Sequence, residues 1–262
     1  MRRIRKGSPP ANVSPDGQDA RSMADARDEF LASLATTLAE RQSEHARNAF
    51  RALDKPKLRE LLYVEQHYLC VYCERRVHEK RTPSVEHWRS LSGEPVHALD
   101  WDNLYLSCPT DETCDRWKED RKLAWEPGDN PLPWPVHLDY ERCVGSASNG
   151  TLYVRTDAPL TDAQRRALQL AIDDCQREGQ PSRSVLNLNE PKLREARVAA
   201  IVGERDRLAR EFRGRTATPD ERRKLADDLL RRARREEFTS TRVAYLTRTL
   251  GKSRPPPAGT QG

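Results

Sequence analysis

The chain has 262 residues, 36% hydrophobic and 33% charged, and a formal net charge of +5. It is less apolar and more charged than an average globular domain. No apolar run approaches the roughly 20 residues of a membrane span, and the charged start lacks the apolar stretch of a secretory signal, so a membrane or exported protein is excluded and a cytoplasmic one expected. The basic excess permits a nucleic-acid partner without demanding one, and it is mostly arginine, which suits bidentate phosphate contacts.

Residues 1–22 are polar with Pro, Gly and Ser, and read as a flexible N-terminal segment. Asp25 to about Leu53 reads as helix, with Phe30, Leu31, Leu34 and Leu38 at helical spacing. A second helix is expected from Pro56 to near Tyr68. Residues 69–130 concentrate Cys, His, Trp, Pro and Gly, with short strands expected at Cys70–Tyr72, Ser84–His87 and Leu104–Ser107. A Pro- and Gly-rich connection covers 126–150, and Leu152–Arg155 reads as a further strand. From 161 the chain reads as helical. Thr161 to Gln164 is a capping-box pattern, Asn189-Glu-Pro-Lys192 opens a long helix, and Thr218-Pro-Asp-Glu221 caps another. Residues from 251 read as a disordered tail. The expected divisions are therefore 1–22, a domain over 23–155, a helical domain over 156–250, and the tail 251–262.

Of the six cysteines, Cys70-x-x-Cys73 presents two thiols from one turn, and Cys108 and Cys114 form a second, wider pair. Without a secretory signal this pattern favours a structural zinc site over disulfides. A redox CxxC would need a βαβ setting, which is absent. Cys143 and Cys175 read as incidental. Between the pairs lie Glu86-His87 and Asn103, and Asp115 and Lys118 follow Cys114. A neutral imidazole can take a proton from an attacking water, carboxylates suit Mg²⁺ or Mn²⁺, and an amide can fix a loop or a ring. Of the other histidines, His67 reads as packing on the Cys turn, and His78 and His97 as solvated loop.

The order Cys-pair, Glu-His, Asn, Cys-Asp-x-x-Lys resembles the HNH endonuclease motif. The resemblance implies an α+β chain in which a small zinc-stabilised ββα-metal core is embedded among helices. It makes His87 the general base, Asn103 the residue that orients it, and Glu86 and Asp115 the ligands of a catalytic Mg²⁺ or Mn²⁺. Cys70, Cys73, Cys108 and Cys114 would hold structural Zn²⁺. Lys118, with Arg116, Arg121 and Lys122 nearby, would meet phosphate. Asp115 departs from the His or Asn usual at its position. The N-terminal Arg/Lys/Pro segment, Val64 to Glu74 and Val185-Leu-Asn-Leu-Asn-Glu-Pro-Lys-Leu-Arg-Glu-Ala-Arg197 are similar to the PtuB nuclease subunits of Septu-type and related retron anti-phage systems. Members of that group act with an ATPase partner, PtuA. That likeness implies an endonuclease, acting on DNA, whose helical half docks the ATPase. The alternatives are a nuclease for RNA such as tRNA, and a zinc-knuckle binding module without activity.

Overall fold

The computed structural model describes residues 3–15, 18–78, 82–109, 113–120, 132, 134–172, 184–232 and 236–248. The expected tail and Cys175 lie outside them, as do Arg121 and Lys122. The fold is α+β, with helices joined to two small two-stranded sheets. Among the described residues no helix is long and apolar enough to cross a membrane.

The leading helical stretch is two helices rather than one: α1 (Met23–Leu34) and α2 (Ala39–Arg51). The break has a local cause. The hydroxyls of Thr36 and Thr37 both donate to the carbonyl of Ser33, each at 2.9 Å, and so compete with the helical bonds. Phe30 stacks on His45 to close the hairpin. Helix α3 (Lys55–Glu65) starts where Asp54 accepts the amide of Lys57, and it buries Leu58, Leu62 and Tyr63.

After α3 the chain turns through His67 and Tyr68, both at positive φ. The expected strand at Cys70–Tyr72 is instead a tight turn. The amide of Cys70 bonds the carbonyl of Arg75, and that of Glu74 returns to Cys70. Two close cysteines need such a reversal to face one point, which overrides the β-propensity of Val71 and Tyr72. The other two strands form as expected. β1 (Ser84–His87) pairs antiparallel with β2 (Leu104–Ser107), placing Glu86 opposite Tyr105 and His87 opposite Leu104. The buried amide of Gln66 bonds the carbonyls of Leu69 and Leu106 and the amide of Leu106, fixing the cysteine turn against β2. Helix α4 (Cys114–Asp120) follows.

A short helix α5 (Tyr140–Cys143) runs into β3 (Val144–Ser146), which pairs with β4 (Leu152–Val154). Gly150 turns this hairpin at φ +79°, and a Cβ there would lie 2.1 Å from the carbonyl of Arg194. Then come α6 (Asp162–Ile172), α7 (Pro191–Glu211), α8 (Pro219–Arg231) and α9 (Thr239–Thr247). The capping boxes at Thr161/Gln164 and Thr218/Glu221 form as expected.

Two expectations about organisation change. The N-terminal segment has no regular element, yet it is packed. Ile4 and Val13 are buried in the core, and backbone bonds tie Ile4 to Pro135 and Val13 to Arg21 and Asp54. The core also does not stop at residue 155. Leu168, Ile172, Leu186, Leu188 and Leu193 belong to the same apolar cluster as Leu58, Trp88 and Leu106. Among the described residues a second, smaller cluster lies between α8 and α9 around Leu225, Leu229 and Leu246, with Leu208 of α7 and Phe212 packed against it.

Candidate functional site

The structure brings all four predicted cysteine ligands together. Cys70 and Cys73 come from the turn after α3, Cys108 from the end of β2, and Cys114 from the start of α4. Their sulfurs lie within 4.8 Å of one another, and all four residues are buried. The Sγ–Sγ distances are 3.8 Å for Cys70–Cys114 and 3.7 Å for Cys73–Cys108. A metal–sulfur bond near 2.3 Å places tetrahedral sulfurs about 3.8 Å apart, so the spacing fits the group. These residues could hold a metal ion such as zinc. Cys114, the second residue of the wider pair, is at positive φ, 61°. Burial, with the Cys108 sulfur next, holds the Cys114 thiol well above the usual range; the hydrogen bond with Cys108 does the same for Cys73.

Cys143 stands apart. It is buried, its thiol is pushed up to about 11 chiefly by burial, and it bonds the carbonyl of Asp139.

Sequence reasoning missed the groups that brace the cluster. The amide of Cys114 bonds the carbonyl of Leu186, and the Trp117 indole bonds that of Ser184 at 2.8 Å. The Leu-Asn-Leu-Asn stretch thus buttresses α4. Asn189 extends the buttress to β4 through paired bonds to the amide and carbonyl of Leu152. Arg197 is 1% exposed and donates to the carbonyls of Gly150 and Leu188. Burial draws its pKa down to about 10, while Cys73, Glu74 and Cys114 hold it up. A tetrathiolate around a divalent ion would be doubly negative, and this buried guanidinium would offset part of that charge. Nothing local in the sequence marks Arg197, because its partners are distant in the chain.

Glu86 and His87 are successive strand residues, so their side chains leave opposite faces of β1. Glu86 accepts a 2.7 Å hydrogen bond from the hydroxyl of Tyr72, one of the two residues between the first two cysteines. Burial first, then Glu86 and Asp115, hold the Tyr72 phenol well above its usual range, so it stays a donor. Tyr72 thus orients Glu86, and it too was missed.

His87 is 8% exposed and packs edge-on against Phe50 of α2, with ring centroids 4.4 Å apart. Its Nε2 lies 2.9 Å from the carbonyl oxygen of Ala98. A carbonyl only accepts, so Nε2 carries a proton.

Asn103 is fully buried and acts one step removed from the ring. Its Nδ2 donates to the carbonyls of Arg89 and His97, at 3.2 and 2.9 Å, and its Oδ1 accepts from the amide of Arg89 at 2.6 Å. It clamps the loop that carries the Ala98 carbonyl. His97 is not a merely solvated loop residue: its Nδ1 bonds Asp100 at 2.6 Å.

Asp115 is buried on α4, Arg116 is exposed there, and Lys118 lies on the same helix. Among the described residues the four cysteines are the one group of three or more His, Cys, Asp or Glu side chains placed to share an ion. Glu86, His87 and Asp115 do not make a second. Compared with known proteins, the chain matches no family model and no curated protein sequence.

Proposed function

We propose that this chain is a metal-dependent endonuclease of the HNH type, with Zn²⁺ in the cysteine cluster and hydrolysis of phosphodiester bonds, most readily in DNA, at the end of β1. One observation carries the reading. In an antiparallel β1–β2 pair followed by α4, the histidine of β1 has its Nε2–H on a backbone carbonyl, which supports Nδ1 as the atom that would take a proton.

Glu86 and Asp115, both buried, would hold a divalent ion such as Mg²⁺ or Mn²⁺, which would supply neutralisation of the phosphodiester and of the leaving oxygen. Two carboxylates would suffice for Mg²⁺, an ion that usually keeps several waters. His87 Nδ1 takes the proton of the attacking water. The Ala98 carbonyl then stabilises the imidazolium through Nε2–H, and Asn103 holds that carbonyl in place. Tyr72 keeps Glu86 oriented. Lys118 and Arg116, with Arg121 and Lys122 further along the chain, meet phosphate. In this reading an ATPase like PtuA is the partner, the setting is anti-phage defence in the cytoplasm, and RNA such as tRNA is the other substrate to assay.

The burial of His87 beneath Phe50 favours a second reading, a zinc-stabilised binding module that does not cut.

His87→Ala decides between them. With zinc content and circular dichroism unchanged, cleavage of plasmid DNA or tRNA should fall by about 10² to 10⁴, the usual worth of a general base. Undiminished cleavage by the variant overturns the mechanism. Binding without cleavage by the wild type, with Mg²⁺ or Mn²⁺, selects the second reading.

A further inference from the structure

Away from the cysteine cluster and His87, a cleft of about 1110 Å³ separates α8 and α9 from the N-terminal segment, the end of α3 and the 139–159 region. Seven arginines, one histidine and five carboxylates line it, with no lysine and no Phe, Tyr or Trp.

Its carboxylates are largely committed. Glu65 bonds the buried Lys6 at 3.3 Å and the amide of Gly7 at 2.7 Å. Asp139 pairs with Arg3, Glu141 accepts the amide of Arg3, and Asp157 pairs with Arg155. The remaining arginines are held loosely. Among the described residues the ion pairs of Arg223 and Arg231, eight residues apart on α8, are with Asp220 and Asp228 of their own helix, neither of which lines the cleft; Asp227, which does line it, acts on Arg231 without a close ion pair. Arg232 pairs with Glu236, also outside it. Arg142 reaches Asp139 only at 4.0 Å, and Arg5 is exposed and forms no ion pair among the described residues. Exposed pairs of this kind are worth about 0–1 kcal/mol each, so a phosphate can displace them at small cost.

We infer that this cleft binds the phosphate backbone of a nucleic acid, at a site separate from the candidate catalytic end of β1. The ligand class follows from the lining. Arginine without lysine favours the bidentate geometry of phosphate. The absence of Phe, Tyr and Trp, the main stacking platforms, argues for backbone contact, independent of base sequence, rather than capture of unstacked bases. The choice of nucleic acid as the phosphate source rests on the nuclease reading.

The test is fluorescence anisotropy with a labelled 20-base-pair duplex and zinc-loaded full-length protein, over a salt series without added Mg²⁺ or Mn²⁺. Arg5→Ala/Arg223→Ala/Arg231→Ala should weaken binding at least 10-fold at 100 mM salt. It should also reduce the slope of log K against log salt by roughly 2–3, about 0.9 for each phosphate that is no longer neutralised. Arg5→Ala alone, in an exposed extended segment that cannot unfold the core, should reduce the slope by about 1. Arg47→Ala, on α2 outside the cleft, is the control and should change neither quantity. Unchanged affinity and slope in the triple variant overturn the proposal. So does displacement of the duplex by polyglutamate as effectively as by unlabelled duplex at equal charge. If the triple variant binds normally while the wild type cuts, the cleft fails and the nuclease reading stands. If binding shifts as expected while His87→Ala still cuts, the mechanism fails and the cleft stands.

Discussion

Lys6 shows what a single buried charge does in this chain. It lies in a segment whose polar sequence reads as solvated, yet its side chain is 4% exposed. Its ammonium bonds the carbonyl of Leu104, pairs with Glu65 and sits over the rings of Trp101 and Tyr105. Burial lowers its pKa from 10.5 to about 8, against the opposing pull of Glu65. Between those two values the unfolded chain holds a proton that the folded chain has released, so stability rises with pH across that window. Below pH 8 both states are charged and the folded state bears the full desolvation cost. The rise should amount to about 3 kcal/mol. Urea unfolding of wild type and Lys6→Met at pH 7.5 and 10.5 checks this: the wild type should gain stability relative to the variant, and parallel changes in both would refute it. Composition could not reveal this residue, because burial of a lysine depends on partners about 60 and 100 positions away. The cysteine cluster was legible because its residue types and spacing are local. Tyr72 and Arg197 were not, because their importance comes from what the fold sets beside them.

At the level of elements, α9 is the clearest case of a helix not written in its own sequence. Thr239, Ser240, Thr241, Val243 and Thr247 are poor helix formers, and no separate helix was expected there. Its start is set from the cysteine turn. The buried carboxylate of Glu74 accepts the amide of Ser240 at 2.9 Å and also its hydroxyl. The carbonyl of Glu74 takes the amide of Phe238, and Glu237 accepts the amide of Arg76 at 2.6 Å. A carboxylate at a helix N-terminus satisfies open amides and favours the dipole. Glu74→Ala should therefore loosen α9 at a cost of about 1–2 kcal/mol, within the range for losing a helix cap. Faster hydrogen exchange at 239–247, with zinc content retained, is the expected signature; unchanged protection there would show that α9 docks by its apolar face alone. The cysteine turn and the α1–α2 break follow the same rule. Wherever a side chain bonds the backbone across a reversal, helix and strand patterns mislead, whereas β1, β2 and the capped helices obeyed them.

For the whole molecule, the low apolar content suggested that a metal replaces a core over 69–130. The arrangement is less separable than that. Leu69, Val71, Trp88, Leu104 and Leu106 are themselves buried, and the cluster that holds the last four reaches Leu168, Leu188 and Leu193. The cysteines join three pieces of chain, and the C-terminal half closes over them through the Leu186 carbonyl, Trp117–Ser184 and Arg197. Metal binding should therefore be linked to the folding of the whole chain and not to one segment. One zinc per chain is expected by elemental analysis, lost in Cys114→Ser. Chelation of the wild type should lower the thermal midpoint in one transition. A loss of about 3 kcal/mol would move it by roughly 6–12 °C for a chain near this size. Hydrogen exchange should then rise at 184–200 as well as around the cysteines. If chelation leaves the midpoint in place, the cluster is not a structural metal site. If it splits melting into two transitions, with 184–200 still protected, the cysteine segment folds as a separate unit and the continuous core does not transmit its loss.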